Sequence, residues 1–427
     1  MKKEEVFIFL DRTIVVFLCL SIFCLPFSKA GIESFVWPAI FIFLLKRVLG
    51  YRGNAFLGLL PKTGLNKALG IFIAINALSV VFSTNLGLSL RAFFGKELKF
   101  LMIYFMLVEV ISSRKRLKVF LSTIFLSVIL ILVDSAVQYF RGVDFLRGYD
   151  WARLRASFIT ANCYAAWLIV FIPLFLGLSA AGRNIGRNLR ILVSILILPL
   201  VACLILTYSR GGWIGFIAGI SFMSGFVFKK FTLKIKLLSL FVVLGLLSLF
   251  LFLPQPIKER VKSIGRIDFK VGLTLNERLK STLNMEEGAI LIRLNFWKES
   301  LRMIKDYYIV GCGLNTYSIV ARDYKSFAEG GTYPHNSYLQ MAAETGLSGL
   351  FAFFWVLFVF FKTGIDYFNR SKDYLVLGLL SGILAFLAHA FFDNHLYSLQ
   401  LVVLFWYMLG LTMVVVKLDL KNSGGSN

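Results

Sequence analysis

The chain has 427 residues, of which 58% are hydrophobic and only 16% carry a charged side chain. A water-soluble domain of this size carries about 25% charged residues, so the composition excludes a soluble globular protein and indicates that lipid solvates much of the surface. The 46 basic residues outnumber the 23 acidic ones and give a net charge of +23. We attribute this excess in part to cytoplasmic loops and predict no nucleic-acid partner.

Apolar segments recur along the whole length, and a helix needs roughly 20 residues to cross about 30 Å of hydrocarbon. Because these runs are continuous and do not alternate, they predict helices and exclude a membrane β-barrel. The sequence therefore predicts an all-α polytopic membrane protein, a single integral domain over residues 1–427, with about twelve transmembrane helices. The predicted spans are 13–27, 32–45, 68–83, 99–112, 119–138, 157–181, 191–208, 211–228, 237–253, 345–361, 374–391 and 399–416.

Alternating the sides of the membrane from a cytoplasmic N-terminus places five basic, acid-poor connections inside, as the positive-inside rule expects. The outer side then holds residues 84–98, 139–156, a tight turn at 208–212 and a long segment over 254–344. Only the long segment is large enough to form a water-facing cap. Its helical stretches and glycine breaks predict a largely helical one.

Several arginines lie on the predicted outer face, where the topology rule does not explain them. Arg210 follows Ser209 and precedes two glycines in the turn, so the next helix start offers backbone N–H groups to an anion. A lone arginine at a helix end would favour the alternative, a side chain that only reaches the membrane interface. Because Arg155 and Arg293 lie on the same predicted side, and guanidinium groups bind phosphate in bidentate fashion, the sequence favours anion binding. We interpret Arg141, Arg147 and Arg153 as surface charge.

One of the three histidines, His335, lies at the start of a predicted helix, between Pro334 and the pair Asn336-Ser337. A helix N-terminus disfavours the imidazolium form, so a neutral His335 could accept a proton as a general base. The alternative is a structural cap, a role that Asn336 or Ser337 could also fill. Gly346 is expected to break or bend this helix.

The other two histidines are interpreted as packing or interface residues. His389 lies within the eleventh predicted span, and His395 lies in a short outer loop beside Asp393. A metal site needs several converging His, Cys or carboxylate ligands, and the outer acids are scattered. We therefore predict chemistry without a metal or other cofactor. No phosphate-binding loop or dinucleotide fingerprint is present in the sequence.

Between residue 155 and about residue 350 the sequence resembles the bacterial O-antigen ligases and their relatives. The stretch HNSYLQMAAETGLSG fits their pattern of a histidine, a polar residue and a later Gly-x-x-Gly. It follows RASFITANCYAAW, LTYSRGGWIG and an Arg-x-x-x-Trp motif in the order that the family uses. One departure is TAN at residues 160–162, where relatives often show Asn-Pro-Asn, and it leaves the role of Asn162 open.

The resemblance implies a twelve-helix inner-membrane glycosyltransferase whose active site faces the periplasm beneath a cap formed by residues 254–344. Its donor would be a glycan on undecaprenyl diphosphate, and its acceptor an outward-facing lipid-linked sugar such as lipid A-core. Carried over by motif, Arg210 and Arg293 would bind the diphosphate, and His335 would deprotonate the acceptor hydroxyl, with inversion and without a metal. The substrate-binding residues predicted beside them are Arg155, Trp297, Asn336 and Asn162.

We place O-antigen ligase first because the histidine motif fits in full. An O-antigen polymerase and a protein O-oligosaccharyltransferase are alternatives that share the donor and differ in the acceptor. A transporter of anionic substrates is the alternative from another class. It predicts inverted repeats and helix-breaking or charged residues at the midplane of both halves, and the sequence shows no such symmetry.

Overall fold

A computed structural model describes residues 3–50, 60–148, 153–181, 186–227, 292–324 and 333–423. Contacts divide the chain into two compact units, Met1–Ile220 together with Asn295–Asn427, and Ser221–Leu294. Of the second unit the structure describes residues 221–227 and 292–294, and both stretches are helical. Across all the described ranges the architecture is helical, as the sequence predicts.

The helices follow one another with short connections in most of the described chain. The N-terminal part contains α1 (Lys3–Cys24), α2 (Lys29–Gly50), α3 (Asn66–Val81), α4 (Leu86–Ala92), a π-helical turn (Phe93–Glu97), α5 (Leu98–Val110) and α6 (Arg114–Arg141). The middle part contains α7 (Ala161–Ala180), α8 (Arg187–Leu206), α9 (Arg210–Val227) and α10 (292–306). The C-terminal part contains the short α11 (Tyr317–Val320), then α12 (Ser337–Ser371), α13 (Tyr374–His389) and α14 (Leu399–Ser423).

Six of the described helices are long and apolar enough to cross a membrane, namely α1, α6, α7, α8, α12 and α14. Two further apolar helices, α3 and α13, are shorter. The predicted span 237–253 and residues 254–291 of the predicted cap lie outside the described residues. The count of about twelve spans therefore stays a prediction.

Most of residues 84–98, which the sequence places on the outer side between two spans, are helical. Asn85 caps the helix start by accepting a hydrogen bond from the N–H of Leu88 at 3.1 Å. From there α4, the π-helical turn and α5 run on without a break to Val110. No proline interrupts this stretch, and the π-helical turn accommodates one extra residue inside a continuing helix.

The backbone of α13 lies close to the backbones of two neighbouring helices, because glycines line both contacts. On the α7 side, a Cβ added at Gly382 would lie 2.5 Å from the Val170 carbonyl oxygen. On the α9 side, a Cβ at Gly215 would lie 2.5 Å from the Ala385 carbonyl oxygen. The glycines of α9 that face α13 are Gly211, Gly215 and Gly219, four residues apart. Such spacing lets membrane helices approach closely, and it holds the end of α13 against the first turn of α9.

α12 is broken at Gly346, as the sequence predicts, where the backbone has φ +71° and ψ 176°. The carbonyl of Ala343 accepts a hydrogen bond from the N–H of Cys312 at 2.9 Å. The carbonyl of Glu344 accepts one from the N–H of Gly313, also at 2.9 Å. The segment between α10 and α11 therefore docks into the break and replaces hydrogen bonds that the helix loses there.

Gly346→Ala is expected to destabilise the protein by about 2 kcal/mol or more, because this backbone conformation is essentially restricted to glycine. A Cβ at this position would also overlap the carbonyl oxygen of Ile309. The matched control is Gly70→Ala in α3, where a Cβ meets nothing within 4 Å and alanine favours the helix. Thermal unfolding in detergent measures both, and a loss in Gly346→Ala no larger than in the control would contradict this account.

Candidate active site

The helix that carries the histidine motif is capped by Asn336. Its side-chain oxygen accepts hydrogen bonds from the N–H groups of Tyr338 at 2.9 Å and Leu339 at 3.1 Å. Asn336 therefore provides the helix cap, which was the alternative role considered for His335. His335 itself lies one residue before the cap with φ +49°, and its side chain is 42% exposed, so the imidazole is accessible at the helix start.

Trp297 contacts the backbone that directly precedes His335. Its indole N–H donates a hydrogen bond to the Pro334 carbonyl at 2.9 Å. Its ring packs edge-on against Phe391, with the centroids 5.5 Å apart. The ring of Phe296 lies 6.5 Å from the imidazole, centroid to centroid. A left-handed φ is uncommon for a residue with a side chain, and these contacts help to hold His335 in it.

His335 forms a hydrogen bond with Asp393, which lies in the loop between α13 and α14. The distance from Nδ1 of His335 to Oδ1 of Asp393 is 3.2 Å. The same loop is attached to the first residue of α12, because the N–H of Ser337 donates to the Ala390 carbonyl at 2.9 Å. The Ser337 hydroxyl also donates to the Asp393 carbonyl at 2.9 Å. Backbone contacts therefore hold the imidazole and the carboxylate together.

Asp393 is ionised in this setting. Burial would raise its pKa, but hydrogen bonds and a neighbouring histidine hold the pKa well below its usual range. The groups that lower it are His335, His395, the N–H of Asn394 at 2.8 Å and the amide of Asn162 at 3.0 Å. An ionised carboxylate has no proton to donate, so Nδ1 of His335 carries the hydrogen. In the neutral ring, Nε2 then keeps its lone pair and can accept a proton.

Asn162 connects Asp393 to an arginine on the same face. Its Nδ2 donates to Oδ2 of Asp393 at 3.0 Å, and its Oδ1 accepts from Nη2 of Arg153 at 3.1 Å. Arg153 also donates through Nε to the Thr207 carbonyl at 2.8 Å. The interpretation of Arg153 as surface charge is therefore wrong. Its half-buried side chain ties the start of α7 to the end of α8 and orients the amide that holds the carboxylate.

Arg210 is the first residue of α9 and is exposed. The next residue, Gly211, packs directly on the end of α13. A Cβ there would lie 2.7 Å from the His389 ring and 3.1 Å from Cβ of Phe392. Because Phe392 precedes Asp393, the start of α9 lies against the loop that carries the carboxylate.

Arg155 lies in the loop before α7. Its N–H donates to the Gln138 side chain at 3.1 Å, and its guanidinium donates to the Ile159 carbonyl at 3.3 Å. Arg153, two residues earlier, makes the contact with the network described above. Arg293 lies in the first turn of α10 and belongs to the second unit, so its distance from the histidine stays a prediction.

The remaining two histidines are packed inside the helical bundle, as the sequence predicts. His389 and His395 are each 1% exposed, and their rings meet edge to face with centroids 4.1 Å apart. Burial lowers the pKa of His395 to about 4, against the attraction of Asp393. His395 is therefore neutral at physiological pH.

Asp393 is the residue of the candidate site that sequence reasoning missed. A signal was present, because the short connection DNHLYSLQ places an acid on the same predicted side of the membrane as His335. A single carboxylate suggests no metal site, and its separation of 58 residues from His335 hides the pairing. Within the described ranges, no group of three His, Cys, Asp or Glu side chains could hold a metal ion.

Protonation of His395 is expected to destabilise the fold as the pH falls. Its pKa is about 4 in the folded protein against an ordinary value of 6.5, so the unfolded state binds the proton more tightly. The neutral His395 therefore stabilises the folded protein above its ordinary pKa, and this stabilisation is lost as the pH falls toward the pKa of the folded state. The complete loss amounts to roughly 3 kcal/mol in the free energy of unfolding. The apparent Tm should fall steeply from about pH 7 to about pH 4 and less steeply in His395→Gln; equal slopes would contradict the assignment.

The comparison with protein families matches residues 192–354 to the family described as O-antigen ligase. The matched stretch covers less than half of the chain and contains Arg210, Arg293 and His335. A search of curated proteins finds no match. The segment that supplies His335 and Arg210 is therefore similar to the O-antigen ligase family.

Proposed function

We propose that this protein is a membrane glycosyltransferase of the O-antigen ligase type. It takes a glycan from an undecaprenyl-diphosphate donor and transfers it to an outward-facing acceptor, with lipid A-core as the first candidate. The reaction takes place at the periplasmic face of the bacterial inner membrane. The observation that carries the proposal is the exposed imidazole of His335, whose Nδ1 lies 3.2 Å from the ionised Asp393.

In this mechanism His335 is the general base. Its Nε2 accepts the proton of the acceptor hydroxyl while the hydroxyl oxygen attacks the anomeric carbon of the donor sugar. The bond between that carbon and the diphosphate oxygen breaks, and undecaprenyl diphosphate leaves with the electron pair, which inverts the configuration. The Asp393 carboxylate fixes the tautomer of the ring and stabilises the imidazolium that forms.

The departing diphosphate requires positive charge where its negative charge develops. Arg210 supplies this charge from the first turn of α9. Arg293 is the second arginine that the proposal assigns to the diphosphate. Arg155 is assigned to a further phosphate or glycan contact.

Three residues that the sequence assigns to substrate binding act, in this proposal, by positioning the catalytic pair. Asn336 caps α12, and Trp297 fixes the carbonyl that precedes His335. Asn162 holds one carboxylate oxygen of Asp393, which leaves the other oxygen directed at the imidazole. A base whose orientation is fixed in this way avoids the cost of finding its reactive geometry during each turnover.

A polymerase and a protein O-oligosaccharyltransferase would use the same donor and the same base. They would differ in the acceptor alone, a lipid-diphosphate glycan or a serine or threonine hydroxyl. The family match favours the ligase, so the proposal takes lipid A-core as the acceptor and leaves the other two as outcomes of the assay.

His335→Ala is expected to lower kcat for glycan transfer by about 10²–10⁴-fold, because the general base is lost. Asp393→Asn should lower kcat by about 10²-fold or more, because an amide does not stabilise the imidazolium. The assay uses purified protein reconstituted with an undecaprenyl-diphosphate glycan and, in separate reactions, each candidate acceptor. Mass spectrometry identifies and quantifies the product.

Asp366→Asn is the matched control, since it removes an exposed carboxylate of α12 far along the helix from His335, and it should transfer at the wild-type rate. Unchanged turnover in a folded His335→Ala protein would remove the general-base role. Wild-type transfer to a lipid-diphosphate glycan or a serine-containing peptide, with none to lipid A-core, would replace the ligase by the corresponding alternative.

Transfer is expected to continue unchanged in EDTA, because the mechanism draws its positive charge from arginines. Initial rates before and after EDTA treatment measure this directly, with Mg²⁺ or Mn²⁺ added back in a parallel sample. A strict requirement for either ion would contradict the proposed mechanism.

A further inference from the structure

A cavity of about 450 Å³ lies between α2, α3, the continuous α4–α5 helix, α12 and α14. Neither His335 nor Asp393 lines it. One wall is formed by Leu396 and Tyr397, which belong to the 3-10 turn that begins two residues after Asp393. A volume of this size is in the range of small-molecule sites, roughly 300–1,000 Å³, and the mechanism above leaves the cavity without a role.

Both acidic and basic side chains line the cavity. They are Glu33, Glu97, Glu344, Arg91, Lys96 and Lys99, three acidic and three basic. Glu97 accepts a hydrogen bond from Nδ2 of Asn76 at 3.0 Å. Lys99 is paired with Glu33 at 2.6 Å. The lining therefore offers both hydrogen-bond donors and acceptors. A hydroxyl both donates and accepts hydrogen bonds and therefore suits carboxyl and ammonium groups alike.

Aromatic rings form much of the remaining lining. Among them, Trp37 stands at the exposed side, whereas Trp406 and Phe405 are buried. Large rings offer flat apolar surface to a ligand with an apolar face. A sugar ring combines such a face, made of its C–H groups, with hydroxyls around its edge, and the two kinds of lining match these two parts.

The cavity is too far along α12 to hold the reacting sugar. Of its α12 lining, Met341, Glu344 and Thr345 lie nearest to His335 and Phe353 lies farther along. The nearer three follow His335 by six to ten residues, which is about 9–15 Å at a rise of 1.5 Å per residue. A ligand here is therefore separated from the imidazole by the length of one or more sugar units.

Hydrogen bonds connect the cavity wall to the loop that carries Asp393. Oε1 of Glu344 accepts from Nε2 of Gln340 at 3.1 Å. The Gln340 side chain in turn accepts from the amide of Asn394, and Asn394 follows Asp393 in sequence. The cavity and the catalytic loop are thus supported by the same turn of α12.

We infer that this cavity is a subsite for a neutral saccharide unit of the acceptor, one or more sugars away from the hydroxyl that reacts. The inference rests on the proposed function. The acceptor is chosen because the donor diphosphate is assigned to the α9 side, against α13, whereas α2, α3 and α5 form the cavity. Binding of a remote sugar holds the acceptor in register, so that its reacting hydroxyl meets Nε2 of His335.

The test measures binding and turnover separately. Saturation-transfer NMR on the detergent-solubilised protein uses the oligosaccharide released by mild acid from rough lipopolysaccharide. Glu97→Gln, which keeps an oxygen for Asn76, and Trp37→Leu should each weaken the transferred signal about fivefold or more. The matched controls, Glu4→Gln at an exposed acid and Trp355→Leu at a tryptophan outside the cavity, should bind as the wild type does; Trp37 and Trp355 are 45% and 51% exposed.

In the transfer assay, Glu97→Gln should raise KM for the full acceptor about tenfold and leave kcat unchanged. An acceptor truncated at the reacting sugar should show no difference between Glu97→Gln and wild type. The subsite would be overturned if the wild type showed no saturation transfer, or if Glu97→Gln gave the same signal as the wild type. It would also be overturned if native mass spectra showed an amine-bearing phospholipid bound to the wild type and absent from Glu97→Gln. His335→Ala should still bind the oligosaccharide, so a loss of turnover without a loss of binding distinguishes the general-base proposal from the subsite proposal. If the wild type shows no turnover, the NMR result alone decides the subsite.

Discussion

The hydrogen bond between Nδ1 of His335 and the Asp393 carboxylate joins parts of the chain that lie 58 residues apart. The proposed chemistry depends on it, because the carboxylate determines which ring nitrogen carries the hydrogen and which keeps its lone pair. The bond requires the start of α12 and the end of α13 to stay together, and Ser337 provides this by bonding to the backbone of Ala390 and Asp393. The helix start, the loop and the proposed catalytic pair are therefore one structural unit.

Close backbone packing supports that unit from both sides. Gly215 brings α9 against α13, so the first turn of α9, with Arg210, lies beside the loop of the carboxylate. Gly346 opens α12 and lets a neighbouring segment bond to its freed carbonyls. Between membrane helices, tight packing and hydrogen bonds supply much of the association, so small residues decide where an arginine and an imidazole can meet.

Local sequence patterns, each contained within a single stretch of the chain, predicted much of this structure. The helical class, the break at Gly346, the start of the histidine helix and the two buried histidines follow from residue types and their spacing. Asp393 could not be assigned in this way, because its partners His335 and Asn162 lie 58 and 231 residues away. Across residues 84–98 the apolar pattern predicts only a connection between two spans, whereas the Asn85 cap and the absence of proline allow a continuous helix.

A double-mutant cycle on kcat for glycan transfer measures most directly whether His335 and Asp393 act as one catalytic unit. The account predicts that the double variant His335→Ala/Asp393→Asn transfers at the residual rate of His335→Ala alone, because without the imidazole the carboxylate has no base to orient. If the two single losses multiply in the double variant, the residues act independently, and the coupled pair is contradicted.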